Sequence, residues 1–124
     1  MTDAPAPRTP TPTDVLADEY VATLTRLSPM MATEMGLPGA EDTLDDLSPA
    51  GHQAMTDAGR AVLADLDEVE PVDDIDRVTQ HAMRERIGLE IELAEAGEDL
   101  ADLNVIASPV QYIREVFDLM PTGT

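Results

Sequence analysis

The chain of 124 residues has no cysteine, no tryptophan and no lysine, and its only aromatic residues are Tyr20, Tyr112 and Phe117. Without cysteine, disulfides and thiolate metal sites are excluded outright. With so few aromatics the interior must be filled by Met, Leu, Val, Ile and Ala, a mixture that suits helix packing better than sheets. Base is scarce as well: seven arginines stand against 26 acids, for a net charge of -19. A polyanion would be repelled, because affinity for it comes from Lys and Arg displacing counterions, so nucleic acid is excluded as a partner. An anionic membrane surface is excluded on the same ground. No apolar run approaches the ~18 residues of a membrane span. The first residues carry no apolar signal core, so the expected location is cytoplasmic. Also missing are a glycine-rich phosphate loop, a Gly-x-Ser-x-Gly elbow and a His-Glu-x-x-His helix. The residues alone disclose no reaction.

What is present is helical pattern. The length suits one small domain. Residues 1–12, with Pro5, Pro7, Pro10 and Pro12, read as a flexible proline-rich tail, and residues 13–124 as a helical segment. Thr13 is placed to cap a first helix in which Leu16, Tyr20, Leu24 and Leu27 share a face. Ser28-Pro29, Ser48-Pro49 and Ser108-Pro109 each stand before a helical pattern, serine at the cap and proline at the first helical position. The short piece from Pro29 should end at Gly36. The next runs from Pro49 to Val69 with Met55, Ala58, Val62, Leu66 and Val69 on one stripe. The last carries Val110, Ile113, Phe117 and Met120 on its apolar side. The expected fold is all-α, a small irregular helical bundle of about four or five helices, forming part of a larger helical fold.

That last expectation rests on the helix from Asp74 to Ala96. At roughly 100° per residue, Ile75, Val78, Ala82, Leu89 and Leu93 form one stripe and Met83, Ile87, Ile91 and Ala94 a second. A helix apolar on two sides needs neighbours on both. The second stripe is read as surplus, to be covered by the remainder of a longer polypeptide or by a second copy of the chain. Exposing several such side chains invites dimerisation or aggregation, restrained by mutual repulsion of the acidic surfaces.

Candidate chemistry is sparse. His81 and Glu85, at i, i+4, could both face a metal ion, but a zinc site needs about three protein ligands in a shaped cavity. A solvated pair on a polar face is the expectation, and His52 is likewise expected at the surface. The cluster Glu90, Glu92, Glu95, Glu98, Asp99 and Asp102 lacks the order of a calcium loop. Asp73-Asp74-Ile75-Asp76 reads as a helix start, where negative charge suits the dipole. Asn104, in the run Leu103-Asn104-Val105-Ile106, reads as a hydrogen-bonded asparagine in an extended crossing. No catalytic, cofactor-binding or metal residue is assigned.

The tracts Arg26-Leu-Ser-Pro-Met-Met-Ala-Thr-Glu-Met-Gly36, Asp46-Leu-Ser-Pro-Ala-Gly51, Glu70-Pro-Val-Asp-Asp-Ile-Asp-Arg77, Ala96-Gly-Glu-Asp-Leu-Ala-Asp-Leu-Asn-Val-Ile-Ala-Ser-Pro109 and Val116-Phe-Asp-Leu-Met-Pro121 carry a family resemblance. Together they resemble the N-terminal part of the bacterial domain-of-unknown-function 885 family. The resemblance implies a largely helical, zinc-peptidase-like group whose metal site has a His-Glu motif followed by further histidines, in members that continue beyond Pro121. None of that motif is matched here, so zinc is implied only for the part of the family fold outside this chain, and no cofactor for the chain itself. The implied role is an N-terminal helical portion of a metallopeptidase-like protein, inactive alone, forming part of the wall or lid of a substrate cleft. The alternative is a free-standing acidic helical module for protein interaction or self-association. The reading frame downstream separates the two.

Overall fold

Five α-helices form the structure, a computed structural model that describes residues 8–101, 106 and 108–120. They are α1 (Pro12–Leu27), α2 (Pro29–Glu34), α3 (Pro49–Asp67), α4 (Asp74–Ala96) and α5 (Pro109–Leu119), with a 3-10 turn at Glu98–Leu100. No strand occurs among the described residues. The fold is thus the expected small all-α bundle.

The starts follow one local grammar. Ser28 and Ser48 accept hydrogen bonds from the backbone N–H groups of Met31 and Gly51, and proline occupies the first position after each. At α5 the Ser108 backbone N–H donates to Gln111 Oε1 at 3.2 Å, so a side chain three residues on satisfies the cap. The helix α1 uses the same device two residues earlier than expected. Thr11, not Thr13, is its cap: Pro12 takes the first helical position, Thr11 Oγ1 accepts from Asp14 N at 3.2 Å, and Asp14 accepts from Thr11 N at 2.8 Å. Thr13 is instead fully buried. Gly97, at φ 75, ends α4 in the left-handed conformation that glycine adopts without a Cβ penalty.

Three helices make the main body. Gln80, early in α4, reaches Thr13 at the start of α1 and the Val69 carbonyl just past α3, while Leu24, Met55 and Ala94 meet at the other end. Hence α1 and α4 run the same way and α3 runs against both. Val62 and Leu66 of α3 and Ile87 of α4 are buried between them. Gly59 lets α3 and α4 approach closely, since a Cβ there would lie 3.1 Å from Ile87 Cγ2. Gly51 is needed for a harder reason: a Cβ would sit 1.8 Å from the Asp46 carbonyl oxygen, where the incoming loop presses on the first turn of α3. Short α2 leans on α1, and among the described helices α5 contacts α2 alone.

The structure reverses the two stripes of α4. Ile87 is buried, Met83, Ile91 and Ala94 are half-buried against α1 and α3, and this stripe is the inner one. Ile75, Val78, Ala82, Leu89 and Leu93 point outward, with Val78 69 % exposed. The surplus surface therefore exists, but Met83, Ile87, Ile91 and Ala94 do not supply it. On α5 the expected face is also shifted: Val116 is fully buried, whereas Val110 and Phe117 are exposed. A helix resting on one short neighbour covers only a narrow line of side chains, here Ile113, Val116 and Met120.

Arg8 and Thr11, within the stretch read as a proline-rich tail, are docked onto the start of α4. Residues 1–7, the run Asp102 to Val105 that includes Asn104, Ala107 and residues 121–124 lie outside the described residues.

Candidate functional site

Two polar clusters hold the top of the bundle. In the first, Asp76 is wholly buried and accepts from Thr11 Oγ1 and from Val72 N, both at 2.8 Å, and its carboxylate also meets the Arg8 guanidinium. The same guanidinium donates to Asp73 at 2.8 Å and pairs with Asp14. Asp73 in turn caps α4 by accepting from Asp76 N at 2.9 Å. Hydrogen bonding to Arg8 is the main reason that the Asp14 and Asp73 carboxyls lie below their usual range, and the same bonds push the guanidinium up. In the second cluster Gln80 donates at 3.0 Å to both Thr13 Oγ1 and the Val69 carbonyl. Arg84 lies across it, donating to Gln80 Oε1 and to the Leu66 carbonyl at 3.3 Å, where a cation complements the end of α3. Each buried polar side chain among the described residues has a partner. These clusters are braces with no unsatisfied group left to react.

The residues singled out for chemistry do not converge. His81 and Glu85 are exposed on α4, away from the body. His52 is half-buried on α3 and not at the open surface, because it lines the groove where α1, α3 and α4 diverge. Of the acidic cluster, Glu95 pairs with Arg60 at 2.9 Å, and Glu90 and Glu98 stand on the rim of that groove. Asp73 and Asp76 begin α4 as expected, and their capture of Arg8 was not foreseen. No group of three or more His, Asp or Glu that could hold a metal ion exists among the described residues. A resident zinc ion does not fit the donors that the described residues bring together.

What the structure offers is surface of two kinds. One is the groove of about 440 Å³, floored by Met55, Ile87 and Ile91 and walled on one side by Tyr20. Burial first, and the Glu90 charge second, raise the Tyr20 hydroxyl above its usual value. The other is the outer face of α4, an apolar line through Ile75, Val78, Ala82 and Leu89, bordered at Ala82 by a shallow trough that exposed Val21 of α1 also lines. No helix among the described residues is long and apolar enough to cross a membrane. Six apolar residues are buried among those described, against seventeen large apolar residues that stay substantially exposed. A family model for a bacterial protein of unknown function, DUF885, matches residues 29–124. No curated protein matches the chain.

Proposed function

We propose, from the premise that the chain belongs to this bacterial DUF885 family, that it is a non-catalytic helical segment of a metallopeptidase-like protein and forms one wall of its substrate cleft. The observation that supports this reading is the outward stripe Ile75, Val78, Leu89 and Leu93 on the longest helix. Burying a large aliphatic side chain is worth roughly 1.5–3 kcal/mol, so four together favour a permanent helical neighbour over water. In this reading α4 is shared: its inner face belongs to the bundle, its outer face to the unit that carries the chemistry. The zinc and its ligands belong to that other unit, and the segment by itself neither hydrolyses peptides nor holds metal tightly.

Metal analysis of protein purified without a histidine tag, with a peptide-hydrolysis assay alongside, tests the inert role. The expected result is zinc far below one equivalent and no turnover. Stoichiometric zinc that disappears in His81→Ala, or turnover that a chelator abolishes, would overturn it.

A further inference from the structure

The groove on the inner side of α4 has a chemical character that the docking face lacks. Its floor is aliphatic and thioether, from Met55, Ile87 and Ile91, while Glu90 and Glu98 stand at its rim beside the half-buried ring of Tyr20. Its volume of about 440 Å³ falls within the range of small-molecule sites. Neither carboxylate is ion-paired among the described residues; the nearest arginine on the helix, Arg86, pairs with Glu85 at 3.1 Å, and Arg60 goes to Glu95. Glu90 and Glu98 thus set negative charge beside an apolar slot and the Tyr20 side chain, with His52 the one imidazole in the lining, inside the field of a chain of net charge -19. An anion is repelled there, and a hydrated metal ion gains nothing from the apolar floor.

We propose that this groove binds a small amphipathic cation, an ammonium carried on a single aliphatic body. The body covers Met55, Ile87 and Ile91, and the ammonium lies at the Glu90 carboxylate beside Tyr20, with the Glu98 charge further along the rim. Charge complementarity selects this occupant over neutral or anionic molecules of the same shape. Of the outward stripe only Leu93 also borders this groove, and the docking reading is tested at Val78 and Leu89, which do not line it, so the two readings fail separately.

The experiment uses octylammonium as the probe, with octanol and octyl sulfate as its neutral and anionic counterparts. In a Tyr112→Phe background Tyr20 is the only tyrosine in a chain without tryptophan, and its fluorescence reports occupancy of the groove. The expected result is saturable one-to-one binding of octylammonium alone, weakened roughly fivefold by Glu90→Gln, the size of a partly exposed charge pair. Glu92→Gln removes the same charge from an exposed position on α4 that does not line the groove, and it should leave the affinity unchanged. Equal loss in Glu90→Gln and Glu92→Gln would reduce the effect to net charge and overturn the proposal. Equal binding of octanol would overturn it as well, as would a Tyr20 signal that no probe changes.

Discussion

Arg8 joins two parts of the chain that are far apart in sequence: the approach to α1, where it pairs with Asp14, and the start of α4, where it meets both the Asp73 cap and the buried carboxylate of Asp76. Burying Asp76 without a cation and two further hydrogen-bond donors around it would be costly, so Arg8, Thr11 and Val72 N make that burial tolerable. The pH dependence follows from the partners. Asp14 and Asp73 have folded-state pKa values below their unfolded ones, so their stabilisation is fully present above the unfolded carboxylate range near ~4 and is lost as pH falls through the folded values. Arg8→Gln should therefore lower the melting temperature at pH 7, and the gap to the parent protein should shrink as the pH is taken from neutral towards ~3. Thermal melts by circular dichroism at several pH values measure this; a gap that is constant with pH would show that Arg8 acts through packing alone. The docking of Arg8 was illegible in the sequence, because four prolines mark the tail as extended without saying what it touches. The Thr11 cap, in contrast, has a sequence signal that the choice of Thr13 passed over: Thr11-Pro12 followed by Asp14 repeats the Ser-Pro grammar of the other helices, with the acidic partner three residues on.

At the scale of the element, the bounds of α4 follow from sequence signals at both ends, Asp73 at the cap and Gly97 in the left-handed turn, and the helix found is the helix expected. Its rotation is another matter. Two apolar stripes of similar weight leave the phase undetermined, and the purer of the two, with Ile75, Val78, Leu89 and Leu93, faces out. The inner stripe shares its face with Asp76 and Gln80, polar residues that periodicity assigns to solvent but that are buried because Arg8, Thr11 and Thr13 satisfy them. Contacts made by other segments decided the phase, and no pattern within α4 contains them. The same limit applies at α5, where the single covering helix exposes half of an apolar face. A pair of truncations checks the observed phase. Ile87→Ala should cost about 2–5 kcal/mol in chemical denaturation, as for other buried aliphatic residues. Val78→Ala, at a position 69 % exposed, should stay within about 0.5 kcal/mol of the parent. Equal losses at both positions would mean that the outer stripe is covered within the chain itself.

For the whole molecule, two opposing terms set the behaviour in solution. The outer face of α4 and the trough beside Val21 favour contact with another apolar surface, while a net charge of -19 drives copies of the chain apart. Salt screens the repulsion over a Debye length of roughly 8–10 Å near physiological ionic strength and leaves the apolar attraction intact. The fold class and the helix inventory could be read from composition and capping, and so could the existence of surplus apolar surface, since that needs only a count of stripes. Which stripe is surplus, and the groove rimmed by Glu90 and Glu98, arise from the way α1, α3 and α4 diverge and are properties of the assembly of helices. The central claim is that the outer face of α4 is a docking surface, and sedimentation velocity tests it most directly. The chain should associate increasingly as salt is raised, and Val78→Glu with Leu89→Glu should return it to a monomer with its helical circular dichroism unchanged. A parent chain that stays monomeric at every salt and protein concentration, together with a double variant that unfolds, would contradict the account.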